Sequence, residues 1–380
     1  MSFKKIVGKI HLWLGLGSGL VVLIVGLTGC ILAFREEIEH ITHPWLFSPA
    51  HAGDPLPPSV IWDKVQEKGQ DKGQLRLLNM QYPGPGRSVI VSYAGLQSGN
   101  RKTFVDPHSG ALLATGRPAV DFFDFIEHGH RWLWFPWQIG RPIQGTCILI
   151  FLVMMITGMI LWWPKRWSKA GRQKSFTVKW KAGRKRINYD LHNVLGFYMN
   201  WVVIFIVITG LSWSFQWMAR TVYFTASGGR SMAAFKIPSS DTTLGKSPFN
   251  MTKADSIWWR QPAGLRSAQG LFFIFPATKA APLLLLTNDR PGTTFRRSFH
   301  YYDQYTLKDI TRPNIVTGDY DRAALADKII RMRYDLHTGG LLNLPGKILA
   351  FLGSLVAASL PVTGFLIWRG KRKKKPILKK

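Results

Sequence analysis

The chain has 380 residues, 46% of them hydrophobic, with 50 Lys and Arg against 21 Asp and Glu for a net charge of +29. Those totals conceal a segregated sequence, because residues 10–34, 142–164, 191–219 and 348–368 contain no Asp, Glu, Lys or Arg. Each stretch reaches the roughly 20 apolar residues a helix needs to cross the hydrocarbon core, which rules out a soluble protein.

In chain order, residues 1–9 form a short basic segment with Lys4, Lys5 and Lys9, and 10–34 the first span. This span is too long for a cleaved signal peptide, and no small-residue cleavage pattern closes it before Arg35-Glu36-Glu37, so it is read as a retained anchor. Residues 35–140 are expected to be a first exported domain and 141–164 the second span. The loop 165–190 carries ten basic residues and one acid, Asp190. The third span follows at 191–218, a second exported domain at 219–340 and the fourth span at 341–368. The tail, 369–380, holds eight more basic residues. Basic loops resist translocation, which puts both termini and the central loop on the cytoplasmic side. Nucleic acid is not needed to account for this charge, whose position beside the spans suits anionic lipid headgroups. The two cysteines, Cys30 and Cys147, lie outside the exported segments, so a disulfide framework is excluded. They read as small buried thiols, with a mutual bridge as the alternative.

The sequence repeats itself. Asn188-Tyr189-Asp190-Leu191-His192-Asn193 precedes the third span, and Arg333-Tyr334-Asp335-Leu336-His337-Thr338 precedes the fourth. A Thr-Gly pair lies near the far end of every span: Thr28-Gly29, Thr157-Gly158, Thr209-Gly210 and Thr363-Gly364. His11 lies 17 residues before Thr28 and His192 lies 17 before Thr209, while His130 and His337 lie 27 and 26 before Thr157 and Thr363. In the exported parts, Thr103 to Gly110 resembles His300 to Leu307, each a strand ending in an Asp-led turn. The expected fold is therefore a mainly α integral membrane protein. A duplicated unit of span, exported domain and span gives a four-helix bundle with two α+β domains, the halves related by an axis along the membrane normal. The Thr-Gly pairs read as helix-packing residues.

Four histidines fall at two depths. His11 and His192 enter from the cytoplasmic side, and His130 and His337 precede the spans that start outside. Seventeen residues of helix cover about 25 Å, so the two levels are nearly a membrane apart. Symmetry-related positions face a common axis, and two neutral imidazoles can provide both axial ligands of a haem iron. His128 competes with His130 for the outer position, with His130 preferred because Arg131-Trp132-Leu133 follows it. Zinc is the rival metal, but the inner pair has no plausible third ligand and neither Cys-x-x-Cys nor His-Glu-x-x-His occurs. Arg131, Arg141 and Arg333 are candidates for haem propionates, with interfacial anchoring as the alternative. Trp13, Trp162, Trp163, Trp167 and Trp368 read as an aromatic belt. His40, His43, His51, His108 and His300 are expected to be solvated surface residues. Arg290, Arg296, Arg297, Trp258, Trp259 and Arg260 are candidates for an exported docking face, with an ordinary basic surface as the alternative.

Taken together, these motifs resemble the PepSY-associated transmembrane family, the iron-regulated inner-membrane proteins that include ferrisiderophore reductases. The resemblance is carried by Lys9-Ile10-His11-Leu12-Trp13-Leu14-Gly15-Leu16, Leu27-Thr28-Gly29, His130-Arg131-Trp132-Leu133, Gly140-Arg141 and Thr157-Gly158 through Leu161-Trp162-Trp163-Pro164. Asp190-Leu191-His192-Asn193-Val194-Leu195-Gly196 and Leu336-His337-Thr338-Gly339 carry it through the third and fourth spans. Val105 to Leu113 is similar to the closing strand and turn of a PepSY domain. One departure is Leu307, which stands where the first half has Gly110.

The resemblance implies a bacterial inner-membrane protein with periplasmic PepSY-like domains. It further implies two b-type haems, on His11 with His192 and on His130 with His337, delivering electrons to ferric siderophore complexes in the periplasm. No GxGxxG fingerprint occurs in the cytoplasmic segments, which leaves membrane quinol and a separate reductase open as the donor. The alternatives are a membrane-anchored regulator of an extracytoplasmic peptidase, since PepSY-like domains occur in protease propeptides, and a transporter of the iron complex. The transporter lacks intramembrane Asp, Glu or Lys to couple ions.

Overall fold

The computed structural model describes residues 2–48, 53–68, 75–95, 99–116, 122–164, 166–244, 249–268 and 270–372. His51, Lys165 and most of the basic tail fall outside them. The chain divides into two compact units, one of residues 1–35, 122–221 and 334–380, the other of residues 36–121 and 222–333.

The first unit holds four helices long and apolar enough to cross a membrane: Phe3–Ala33, Trp137–Trp162, Arg184–Ser214 and Gly340–Lys371. They are longer than the uncharged stretches at several ends, because Lys and Arg continue a helix without penalty beyond the apolar core. Small residues set the contacts. A methyl group added at Gly26 of the first span would lie 2.8 Å from Ala358 Cβ of the fourth, and one at Gly145 of the second would lie 2.8 Å from Ser214 Cβ of the third. Val22, Ile148, Phe151, Met155, Val203, Val207, Leu211 and Ala357, drawn from all four spans, fill the bundle interior. Leu20, Ile156, Trp201 and Phe205 point outward, as an apolar solvent allows. Cys30 and Cys147 are free thiols, and Cys30 is buried.

The second unit corrects the expectation of two separate exported domains. The two segments between the spans both contribute to one seven-stranded sheet, ordered β4-β3-β2-β1-β5-β6-β7. Strands β1 (Leu75–Tyr82), β2 (Val89–Gly95), β3 (Gly99–Val105) and β4 (Leu112–Gly116) come from the first segment. Strands β5 (Gly270–Ile274), β6 (Leu283–Asn288) and β7 (Arg297–Tyr302) come from the second. β1 and β5 join them, pairing antiparallel from Asn79 opposite Ile274 to Tyr82 opposite Leu271. β2 alternates buried and half-buried positions along its whole length, so one face of the sheet meets the core. The helices Pro58–Lys68 and Met251–Arg260 supply Ile61, Val65, Ala254, Ile257 and Trp258 to that core, against Met80, Val91, Phe273 and Leu285. A half-sheet with one helix is a thin layer. Joining the two at the β1–β5 seam gives each a larger buried face.

The two Asp-led turns are equivalent in detail. Asp106 Oδ1 accepts hydrogen bonds from the His108 and Ser109 amides and the Ser109 hydroxyl. Asp303 Oδ1 accepts them from the Tyr305 and Thr306 amides and the Thr306 hydroxyl. Leu307 has the same left-handed backbone as Gly110, with φ of 58° against 71°. The missing glycine therefore leaves the turn intact, at a cost of about 1 kcal/mol or more in backbone strain.

Burial alone would raise the Asp106 carboxyl, but hydrogen bonds from Ser48, Ser109 and His108 outweigh it and hold it at about 2. That lies below the ~3.9 of an unfolded aspartate. Its contribution to stability is thus complete above about pH 4 and lost as pH falls towards 2. Asp106→Asn is expected to cost about 2 kcal/mol at pH 7. Unfolding curves for wild type and variant should converge on acidification, and a gap that stays constant down to pH 2 would refute the assignment.

Candidate functional site

The bundle brings the four expected histidines together in two couples. His11 and His192 have ring centroids 6.4 Å apart with planes at 89°, and His130 and His337 have centroids 6.1 Å apart at 66°. Each couple joins one histidine from the first half of the chain to one from the second. Between His128 and His130 the structure is unambiguous. His128 is exposed, with Nδ1 on its own helix at the Asp124 carbonyl (2.8 Å), whereas His130 faces His337.

The Thr-Gly pairs, read above as packing residues, turn out to hold the imidazoles. His11 Nδ1 lies 2.9 Å from Thr157 Oγ1, and His192 Nδ1 lies 2.9 Å from Thr363 Oγ1. His130 Nδ1 lies 3.0 Å from Thr28 Oγ1, and His337 Nδ1 lies 3.1 Å from Thr209 Oγ1. Each histidine thus leans on the other span of its own half while facing the histidine of the opposite half. The glycine after each threonine makes room for the ring. A methyl group there would lie 3.2–3.4 Å from the histidine Cε1 at Gly29, Gly158, Gly210 and Gly364, closer than an unstrained carbon contact.

These contacts fix the tautomer. All four threonines donate their single hydroxyl proton to a carbonyl of their own helix, Ile24 for Thr28, Met154 for Thr157, Phe205 for Thr209 and Ser359 for Thr363. The threonine oxygen must then accept from the imidazole. At the His130–His337 couple, Nδ1 also meets a carbonyl, Val25 for His130 (3.0 Å) and Ile206 for His337 (2.9 Å). A carbonyl only accepts, so Nδ1 carries the proton and Nε2 keeps its lone pair, the arrangement a metal-ligating histidine requires.

The separations suit one metal ion between two rings. Two metal–nitrogen bonds of about 2 Å, with about 1 Å more from each nitrogen to its ring centre, place the centroids about 6 Å apart. Among the described residues no group of three or more His, Cys, Asp or Glu side chains is placed to share a metal ion. Each couple therefore offers two protein ligands, where structural zinc wants four. Haem, whose porphyrin supplies the remaining four nitrogens, fits the donor set.

Local backbone explains two of the positions. His192 sits in a single π-turn, Leu191–Leu195, within the third span. The wider turn shifts the direction of its side chain. The turn is anchored just before it by Asp190, which is wholly buried and accepts from Arg186 Nε (2.8 Å) and the Lys179 amide (3.2 Å). His130 lies on the helix Phe122–Trp132, which meets the second span through Leu133 and Trp134, both left-handed. Gly140 packs its Cα on the Trp132 carbonyl so closely that any Cβ would overlap it, and Gly346 packs on the Gly339 carbonyl in the same way.

The arginines fare unevenly. Arg141 donates to the Trp213 carbonyl, and the ring of that same tryptophan stands edge-on to His337 at 5.3 Å. Arg131 turns away to Glu127 (2.9 Å) and lies over the Trp132 ring. Arg333 is half-buried, four residues before His337 on the helix Leu325–Thr338. The candidate docking residues do not form one face. Trp258 is fully buried in the core, Arg296 is clamped between Asp289 and Asp321, and Arg260 donates to the Leu307 carbonyl.

A four-span bundle with two facing histidine couples defines the class: a transmembrane protein with paired imidazoles at two levels of its helices. The family model for the PepSY-associated transmembrane region matches residues 9–371, and the chain belongs to that family. A search of curated proteins finds no match.

Proposed function

We propose that each histidine couple holds one b-type haem, and that the protein carries electrons across the bacterial inner membrane to ferric siderophore complexes on the periplasmic side. The observation that supports this most is the spacing of both couples, 6.4 Å and 6.1 Å, with Nδ1 already occupied by threonine at each of the four rings. When bound, haem supplies reversible one-electron chemistry, with a potential set by its axial ligands and their surroundings.

The chain's own residues do the positioning. His11, His192, His130 and His337 present Nε2, and their threonines hold the Nδ1 proton and so the ring direction. The bundle interior of Val, Ile, Leu and Phe keeps water from the space between the two levels. Arg141 is the best placed of the three arginines to meet a propionate. Reduction of ferric iron weakens its hold on hard oxygen ligands, which would free the metal from a siderophore. The equivalent Asp106 and Asp303 turns support the duplicated unit and the PepSY-like character of the exported part. The basic segments support cytoplasmic termini resting on anionic lipid.

The visible spectrum of the detergent-purified protein tests the proposal. A Soret band, with sharp α and β bands on reduction, is expected. A colourless protein would overturn it and leave the peptidase regulator and the transporter.

A further inference from the structure

We propose that residues 166–185 form a docking surface for an acidic one-electron carrier protein that delivers electrons at the His11–His192 level. The inference rests on the haem function above and names its donor. The carrier would give up one electron, which a ferric haem held by His11 and His192 would accept, with no bond formed or broken.

The segment is built as a fixed surface. Its helix, Lys169–Phe176, is capped by Ser168, whose hydroxyl accepts from the Gly171 amide (3.2 Å). Three further hydrogen bonds tie it to the bundle. Trp162 Nε1 donates to the Ser175 carbonyl (2.9 Å), the Tyr198 hydroxyl to the Phe176 carbonyl (3.2 Å), and the Lys179 amide to Asp190 (3.2 Å). On this scaffold Lys169, Arg172, Lys179, Lys181, Arg184 and Lys185 are exposed. None of their side chains forms an ion pair among the described residues; the segment holds no acid, and Asp190 just beyond it is buried and engaged with Arg186.

The retention of basic loops on the cytoplasmic side accounts for the sign of this charge, but a loose loop would serve that purpose equally well. Nor is the helix suited to lie in a lipid surface, which requires an apolar face. Its one large apolar residue, Phe176, is turned into the bundle, 5.1 Å from Trp162 and 5.3 Å from Phe197. What remains outward is fixed, uncompensated positive charge with the exposed rings of Trp167 and Trp180. Aromatic rings and arginine are the side chains that protein interfaces favour. Fixed charge steers an oppositely charged partner into brief, small electron-transfer encounters.

Behind the surface the rings continue inward. Trp167 lies 6.3 Å from Phe176, and Trp162 stacks on Phe197 at 3.8 Å with planes 8° apart. Phe197 follows His192 by five residues, about 7 Å of helix rise. Trp162 follows Thr157, which holds His11, by the same interval. A packed aromatic cluster of Trp162, Trp167, Phe176 and Phe197 thus lies behind the cationic surface, with Phe197 within five residues of His192 along the third span.

The test is stopped-flow reduction of the haem-loaded full chain by a reduced flavodoxin, an acidic flavoprotein, with a neutral quinol as the comparison. The flavodoxin rate is expected to fall about tenfold between low and physiological salt. It is also expected to fall about tenfold in the variant Lys169→Glu, Arg172→Glu, Lys181→Glu, while the quinol rate stays unchanged. The corresponding glutamine variant, which puts no acid in the loop, should show a smaller fall in the same direction. A haem-loaded protein whose flavodoxin rate ignores both salt and these substitutions overturns the docking surface alone, whether quinol reduces it fast or the charge serves lipid. A protein without a Soret band overturns the docking surface and the haem function together.

Discussion

Replacing His130 by alanine is expected to lower the haem bound per chain from two to one, and replacing His128 to leave both in place. The outer couple loses one of its two imidazoles in the first case, while the second removes an exposed side chain whose ring bonds to its own helix. His11→Ala and His192→Ala should each remove the inner haem, and His337→Ala the outer one. Pyridine haemochrome absorbance against protein concentration reads the ratio directly. Because each haem would bridge the two halves of the chain, its loss should also lower the unfolding temperature, by mass action on the folded state. Full haem content in all four variants would sink the ligand assignment.

A second large effect is expected at a residue that touches no histidine. Gly140→Ala should destabilise the protein by about 3 kcal/mol or more, since a methyl group there meets the Trp132 carbonyl, a backbone atom that cannot rotate aside. Trp132 is two residues beyond His130, on the same helix. To admit the methyl group, the link through Leu133 and Trp134 must shift and carry His130 with it. The outer haem should therefore be lost before the inner one, with thermal unfolding and haem ratio measured on the same samples. Equal retention of both haems at unchanged stability would show that the link has slack. Gly346→Ala is the matching substitution in the second half, against the Gly339 carbonyl.

Much of the bundle was legible in the sequence, because uncharged stretches of membrane length and basic flanks leave few arrangements open. The repeat of His and Thr-Gly at matched spacings marked out the two histidine couples. Which atoms those threonines would meet was not legible. Thr157 holds His11 and Thr28 holds His130, on different spans, and spacing along one helix carries no information about the facing helix. The π-turn at His192 was equally hidden, and so were the contacts of Asp190 beside it with Arg186 and Lys179. The sheet unit misled for a different reason. Two copies of one pattern look like two domains, yet β1 and β5 each pair with the other. A sequence repeat does not reveal whether its copies close separately or on each other.

That seam between β1 and β5 bears on how the protein is made. Tyr82 pairs with Leu271, and at about 5–20 residues per second the ribosome supplies the second only on the order of ten seconds or more after the first. Two hydrophobic helices must be inserted during the interval. Until then the early hairpins wait with one sticky border and half a core, the condition in which a nascent chain is most open to wrong partners or proteases. The order of synthesis thus leaves that border without its partner strand until the second half of the chain has been made.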